Sequence, residues 1–137
     1  FNLDHVVISS KGVFLIETKT VSKPRGIAKN VFDGEKLSVN GMEPDRNPIL
    51  QAQAEASWLG QLLNESTGRH FPIKPVVVYP GWWIERANKK APNLVWVLEP
   101  KALPKWIEQA PILLKPDEVA LAAFHLSRYV RGFETVN

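Results

Sequence analysis

The feature that most constrains the fold is a pair of short apolar runs near the start of the chain. Leu3 to Ser9 and Val13 to Thr18 are rich in β-branched and aromatic residues, and a Ser-Lys-Gly turn sequence separates them. Runs of this kind on either side of a turn are typical of two neighbouring strands. The stretch from Asn2 to Lys19 therefore predicts an antiparallel β-hairpin.

The hairpin also sets which side chains lie opposite each other. Turns of two residues and of four residues give the same register, in which Asp4 faces Glu17. The Cβ atoms of directly opposed residues are about 5 Å apart, so two carboxylates there repel each other unless a cation lies between them. Side chains alternate along a strand, so Glu17 and Lys19 share one face. The register therefore predicts a cluster of Asp4, Glu17 and Lys19 at one end of the hairpin.

Two carboxylates beside a lysine form a set of groups that suits metal-dependent chemistry. Mg²⁺ is usually held by one or two carboxylates together with waters and substrate phosphates. A lysine next to such an ion can orient or deprotonate a water, or neutralise charge that develops during the reaction. In a metal site built from this set, Asp4 and Glu17 would be the ligands and Lys19 would orient the attacking water.

The order Asp, turn, Glu-x-Lys resembles the core of the PD-(D/E)xK nucleases, and the wider sequence resembles the nuclease-related domain, or NERD, family. The motifs that carry the resemblance are LDHVVI from Leu3, GVFLIETK from Gly12 and NPILQ from Asn47. The resemblance covers at least Asn2 to Leu63 and weakens after about Tyr79.

The resemblance implies a fold, a cofactor and further site residues. The implied fold is the restriction-endonuclease-like α/β class, in which helices flank a mixed central sheet. The implied cofactor is Mg²⁺, with Mn²⁺ as a substitute, and the Thr18 carbonyl joins the metal ligands. The resemblance also places Gln51 in the site, where its amide would support the water or the scissile phosphate. Without the resemblance, Gln51 would be a surface residue of a helix.

A second Glu-x-Lys sequence, at Glu99 to Lys101, shows how little the tripeptide means alone. It contains Pro100, which interrupts an extended strand ladder, and no acidic residue lies on an obvious partner strand. We therefore assign the site to the first copy. The alternative for that copy, a set of solvated charges at a strand end, stays open on the sequence alone.

The remaining segments complete an α/β pattern. Asn47 and Pro48 are favoured residues at a helix start, and Gly68 is a stop signal. An Asp-Gly pair between apolar runs at 27–32 and 37–39 predicts a second hairpin. Apolar spacing predicts helices and strands in the following segments: helices over Asn47–Thr67, Lys101–Gln109 and Asp117–Phe133, a strand buried on both faces over Pro75–Pro80, and a strand over Asn93–Leu98.

Two groups of residues suggest contacts with a nucleic acid. Lys23, Arg25 and Lys29 follow the proposed site and would contact phosphates, because backbone contacts dominate nucleic-acid affinity. The alternative for these cations is a solvated loop. Trp82 and Trp83 lie beside cations. The pair would either stack on unpaired bases or anchor a loop on the core or on a missing partner segment.

Composition sets the frame for these assignments. The chain has 137 residues, 45% hydrophobic and 23% charged, which suits one globular domain spanning 1–137. A net charge of +3 permits a polyanion partner without requiring one. The absence of Cys excludes disulfides and thiolate metal sites. No apolar run approaches the roughly 20 residues of a membrane span and no signal peptide is evident, so we expect a cytoplasmic protein.

The chain begins at Phe1, almost within a strand, whereas NERD-like domains usually have a helix and a strand before this point. We therefore expect a fragment of a longer polypeptide that carries those elements and further domains. The predicted function is Mg²⁺-dependent cleavage of DNA phosphodiester bonds in DNA processing or repair, with RNA left open as a substrate. The alternative is a non-catalytic module that binds nucleic acid or another protein.

Overall fold

A computed structural model describes residues 3–21, 29–44, 46–87, 94–127 and 129–135, and only the backbone of residues 130–135. The described chain forms an α/β fold with mixed sheets and flanking helices, as predicted, and it is consistent with the restriction-endonuclease-like class. The elements in chain order are β1 Leu3–Ser9, β2 Gly12–Thr18, β3 Lys29–Phe32, β4 Leu37–Val39, α1 Pro48–Thr67, β5 Ile73–Val78, β6 Trp83–Arg86, β7 Trp96–Leu98, a 3₁₀ helix Pro100–Ala102, α2 Leu103–Gln109, α3 Pro116–Leu126 and β8 Val130–Thr135.

The predicted hairpin is confirmed, including its register. β1 and β2 pair antiparallel, with Ser9 opposite Gly12 and His5 opposite Ile16. Gly12 has a φ of 125°, a backbone conformation that a residue with a Cβ atom rarely adopts. Carried one residue further, the same register sets Asp4 opposite Glu17.

The hairpin lies in the middle of a five-stranded sheet with the order β7-β5-β2-β1-β8. β5 pairs parallel with β2, β7 pairs parallel with β5, and β8 pairs parallel with β1. The last four residues of β5, from Pro75 to Val78, are all buried, as predicted for a strand covered on both faces. Helix α1 lies between β2 and β5 in the chain and makes the crossover that a parallel pair requires.

Two apolar clusters cover the two faces of this sheet. On one face Leu15 of β2 packs with Leu59 of α1 and Leu126 of α3. On the other face Phe14 and the neighbouring strands pack against residues of α2. Because side chains alternate along β2, Glu17 and Lys19 point to the same face as Leu15, the face that α1 covers.

A second, smaller sheet has the order β4-β3-β6. The Asp33 turn joins β3 and β4 as predicted, and its carboxylate accepts hydrogen bonds from the backbone N–H groups of Glu35 and Lys36. The sequence does not predict β6, which pairs parallel with β3. A third apolar cluster joins this sheet to the first turns of α1 and to Tyr79 beyond β5.

The helix predicted over Asp117–Phe133 is wrong in its second half. Helix α3 spans Pro116–Leu126, and Val130–Thr135 forms β8. Tyr129 and Phe133 match a helical period, but that period is a local signal only. The outer edge of β1 offers hydrogen-bonding groups to a further strand, and pairing with that edge decides the conformation of Val130–Thr135.

The strand predicted over Asn93–Leu98 spans Trp96–Leu98 in the structure, and Asn93 lies outside the described residues. Within the described parts of the chain, no helix combines the length and the apolar character needed to cross a bilayer.

Candidate functional site

The candidate site lies where β2 ends beside the first two turns of α1. Beyond the end of β2, the Lys19 backbone N–H donates to the Val78 carbonyl at 2.9 Å, so the chain stays aligned with β5. At the start of α1, the side-chain oxygen of Asn47 accepts from the N–H groups of Ile49 and Leu50 at 3.0 and 3.2 Å. Such a cap satisfies helix donors that otherwise lack partners. A backbone hydrogen bond therefore fixes the strand edge of the site, and the Asn47 side chain fixes the helix edge.

Lys19 and Gln51 meet across this junction. The Lys19 Nζ donates a hydrogen bond to the Gln51 Oε1 at 2.9 Å, and both side chains are partly buried. Gln51 lies one turn into α1, where the capped helix start positions its side chain. The strand and the helix each supply one partner, so the contact depends on the packing of α1 against the sheet.

Glu17 and Glu55 form a buried pair of carboxyl groups. Each residue is only 5% exposed. Burial, followed by a hydrogen bond to Glu55 and the charges of Glu55 and Asp4, raises the pKa of Glu17 to about 8, while the charge of Lys19 acts in the opposite direction. The hydrogen bond between the two carboxyl groups needs a proton on one of them. In addition, the Oε2 atom of Glu55 is buried and has no hydrogen-bond partner within the described residues.

Asp4 lies at the outer side of this pair. Its side chain is exposed, and its negative charge contributes to the raised pKa of Glu17. Thr18, between Glu17 and Lys19, is also exposed. In the described residues no group of three His, Asp or Glu side chains has an arrangement that could hold a metal ion.

The comparison with protein families gives one match. The nuclease-related domain model matches residues 1–80, which is more than half of the chain. The chain belongs to the nuclease-related domain family. Membership indicates a nuclease-related function and a nucleic-acid partner. Searches of curated proteins and of solved structures gave no match.

Of the three cations of this NERD domain that are predicted to contact phosphates, the structure describes Lys29. Lys23 and Arg25 lie outside the described residues. Lys29 forms an ion pair with Glu85 of β6, with 2.6 Å between Nζ and Oε2, and both side chains are 48% exposed. The charge of Lys29 is therefore partly compensated by Glu85 in the protein without nucleic acid.

The two adjacent tryptophans of the NERD domain have different environments. Trp82 is 2% exposed, and its Nε1 donates to the Val21 carbonyl at 3.2 Å, so it anchors the segment that follows Lys19. Trp83 is 67% exposed. Of the two alternatives for the pair, anchoring on the core describes Trp82. Stacking on bases stays a prediction, and only for Trp83.

Sequence reasoning did not identify Glu55 as a site residue. The signal that could have found it is its position on α1, where it lies one turn after Gln51 and on the buried stripe with Ala52 and Leu59. A charged residue on an apolar stripe is unusual without a partner. That partner, Glu17, is on another element and is not visible from the helix alone.

Proposed function

We propose that this NERD domain is a metal-dependent nuclease that hydrolyses phosphodiester bonds in DNA during DNA processing or repair. The observation that carries the proposal is the meeting of buried Glu17 with the hydrogen-bonded Lys19 and Gln51 at one strand end. A set of solvated strand-end charges would not be buried. A buried acid with a raised pKa beside a specific charged partner is a common property of functional sites.

The residues present fit a hard divalent cation. Glu17 lies close to two other carboxyl groups, Asp4 and Glu55, and like charges at short range disfavour joint ionisation. A divalent cation would remove that repulsion, and carboxylate oxygens are its preferred ligands. We propose that Asp4, Glu17 and the Thr18 carbonyl hold Mg²⁺, or Mn²⁺ in its place. When bound, the ion would stabilise negative charge on the phosphoryl oxygens.

Lys19 and Gln51 act as a unit in this proposal. Gln51 accepts a hydrogen bond from Lys19 and so limits the positions of the ammonium group. We assign Lys19 the role of orienting the attacking water and neutralising developing charge. The Oε1 of Gln51 is occupied by Lys19, so its amide N–H₂ is the group that can donate to a water or to the scissile phosphate.

We further propose that Lys23, Arg25 and Lys29 contact phosphates of the substrate. The described member, Lys29, is held by an exposed ion pair with Glu85. Exposed ion pairs contribute little to stability, so a phosphate can compete for the ammonium group at small cost. Phosphate contacts of this kind position the substrate without reading its sequence.

The test is cleavage of plasmid DNA, and of an RNA strand in parallel, with Mg²⁺ or Mn²⁺ added. The parent protein should cut DNA, and Glu17→Gln should abolish cutting. Glu99→Gln is the matched control, because Glu99 belongs to the second Glu-x-Lys sequence. Cutting by the Glu17→Gln variant at the parent rate would refute the proposed site. Nucleic-acid binding without any cutting by the parent would leave the binding module as the function.

A further inference from the structure

A groove beside Lys19 is not used by the proposed reaction. It has a volume of about 520 Å³, which is within the range of about 300–1,000 Å³ that is typical of small-molecule sites. Its walls come from the segment after β2, the turn after β4, the start of α1 and Tyr79 beyond β5. Lys19 lines this groove and also donates to Gln51. A molecule bound in the groove would therefore lie next to the phosphate on which Lys19 is proposed to act.

The walls of the groove are mainly apolar, and part of that apolar surface is exposed. Met42 is 73% exposed and Val21 is 40% exposed, and the same lining includes Val39, Pro44 and Pro48. Single exposed apolar residues are common on protein surfaces, whereas apolar residues grouped around one concave surface are typical of binding sites. The groove therefore offers contacts to a ligand that has an apolar face.

Hydrogen bonds hold the walls of the groove in place without a ligand. Val39 and Met42 exchange two backbone hydrogen bonds, of 2.8 and 3.0 Å, across the turn that follows β4. In another part of the lining, the Val21 carbonyl accepts a hydrogen bond from the buried Trp82. A site whose shape is formed in advance loses less conformational entropy when a ligand binds. The groove is therefore prepared for binding.

The charged groups of the groove favour a nucleic acid as the ligand. Lys19 and Arg46 supply two cations, and the ion pairs found among the described residues include neither of them. Proteins bind single-stranded nucleic acids with cations that contact the phosphates and with side chains that pack on the faces of the bases. Glu43 also lines the groove. A carboxylate repels phosphates but can accept a hydrogen bond from the amino group of a base, so Glu43 is compatible with the base end of a nucleotide.

We propose that this groove binds one unpaired nucleotide of the DNA substrate beside the scissile phosphate. Met42 packs against the face of the base, since methionine makes favourable contacts with aromatic rings, and Arg46 contacts a neighbouring phosphate. In a duplex the base faces are covered by stacking. The substrate class is therefore DNA that is single-stranded, or that opens by a base pair, next to the cut. This inference rests on the part of the proposed function that brings DNA to Lys19.

The experiment measures DNA binding by the full chain in EDTA, so that neither metal binding nor cleavage contributes. Fluorescence anisotropy compares a labelled single-stranded oligonucleotide with the duplex of the same sequence, and the parent should bind the single strand more tightly. We expect Met42→Ala to weaken single-strand binding about fivefold, because the variant loses apolar area that the base would cover, and to leave duplex binding unchanged. Ile112→Ala is the control, because Ile112 is also 73% exposed but does not line the groove. It should bind both forms like the parent.

Two further variants test the two parts of the groove separately. Met42→Leu keeps an apolar side chain of similar size, so it should bind the single strand nearly as tightly as the parent. Arg46→Gln should flatten the logarithmic salt dependence of single-strand binding by about 0.7, the value for one lost phosphate contact. An unchanged salt dependence would refute the role of Arg46.

The outcomes separate this inference from the proposed function. If Met42→Ala binds the single strand as tightly as the parent, or if the parent binds only the duplex, the inference is refuted, whereas the cleavage assay can still confirm the nuclease. If Met42→Ala weakens single-strand and duplex binding equally, the inference is also refuted, because a paired base does not reach the groove. If Met42→Ala weakens only single-strand binding and the parent cuts no DNA, the inference stands and the proposed cleavage fails.

Discussion

At the scale of single residues, Glu17 determines how the candidate site responds to pH. Its carboxyl group is buried near the end of β2, where burial, Glu55 and Asp4 raise its pKa and the charge of Lys19 lowers it. The folded protein therefore holds a proton on this group at pH values where an exposed glutamate has lost it. Such a group links proton uptake to folding.

We predict that the metal-free protein becomes less stable as the pH rises from about 4.5 to about 8, the two pKa values of Glu17 when unfolded and folded. In this window the folded state binds more protons than the unfolded state, so the free energy of unfolding falls with pH. Urea denaturation in EDTA across this range measures the effect. Glu17→Gln should flatten the dependence, and an equally steep dependence in that variant would contradict the prediction.

For Lys19→Ala we predict nearly unchanged Mn²⁺ binding and a loss of DNA cleavage by a factor on the order of 10²–10⁴, the usual contribution of a positioned proton-transfer group. The reason is that, in the proposed mechanism, the ammonium group acts on the water and on developing charge, whereas the carboxyl groups bind the ion. Single-turnover cleavage measures the loss. Lys101→Ala, in the second Glu-x-Lys sequence, should cut like the parent.

Among single residues, the sequence predicts those parts of the candidate site that depend on local spacing or on a family motif. Glu17 and Lys19 follow from alternation along one strand, and Asp4 follows from a turn of known register. Glu55 does not follow, because its contact with Glu17 depends on how α1 docks on the sheet. Spacing within one element carries no information about that docking.

At the scale of secondary-structure elements, the start of α1 links stability to the site. The Asn47 cap fixes the first turn of the helix. Gln51 follows this turn directly and accepts a hydrogen bond from Lys19. Without the cap, backbone N–H groups of the first turn would lose their acceptor, in a segment that packs against the second sheet. The cap therefore affects both the free energy of unfolding and the position of Gln51.

Asn47→Ala should lower the free energy of unfolding by about 1 kcal/mol, the usual cost of losing a helix N-cap. Asn47→Asp should retain most of the stability, because a carboxylate oxygen can accept the same hydrogen bonds. Asn64→Ala provides the control, since Asn64 is an exposed residue inside the same helix. Urea denaturation compares the three variants, and equal losses for Asn47→Ala and Asn64→Ala would show that the cap has no effect.

Trp82, which precedes β6, and Trp83, its first residue, should respond very differently to truncation. Trp82 is buried and bonded to Val21, so Trp82→Ala should cost about 3–5 kcal/mol, as for other large core residues. Trp83 is exposed, so Trp83→Ala should change the free energy of unfolding by no more than about 0.5 kcal/mol. Chemical denaturation measures both values. A large loss from Trp83→Ala would contradict its exposed placement.

Elements with strong local signals were predictable, and those defined by distant partners were not. The hairpin has its own turn, α1 has both caps, and β5 has an uninterrupted apolar run. By contrast, β6 has four residues and gains its order from pairing with β3. β8 is a strand because it pairs with β1, at the opposite end of the chain.

At the scale of the whole molecule, a net charge of +3 is a weak attraction for a polyanion, so the placement of cations matters more than their number. Replacing Lys23, Arg25 and Lys29 together by Gln should flatten the logarithmic salt dependence of DNA binding by up to about three units, if each contacts one phosphate. Fluorescence anisotropy at several salt concentrations measures the slope, and an unchanged slope would exclude phosphate contacts.

Glu85→Gln tests the same surface, but the expected change in DNA affinity is in the opposite direction. It removes the partner of Lys29 without touching a cation. The freed ammonium group should bind phosphate more readily, so DNA affinity should rise. A fall in affinity would mean that the ion pair itself holds the surface in its binding conformation.

The position of β8 has a consequence for solubility. β1 is a seven-residue, mostly apolar strand, and β8 pairs with the edge that β2 leaves open. An uncovered strand of this kind can pair with the same strand in another molecule, and short segments of high β-propensity can stack into fibrils. β8 thus protects the chain from self-association. Because β1 also carries Asp4, which we propose as a metal ligand, pairing through that edge would lower the solubility and the proposed activity together.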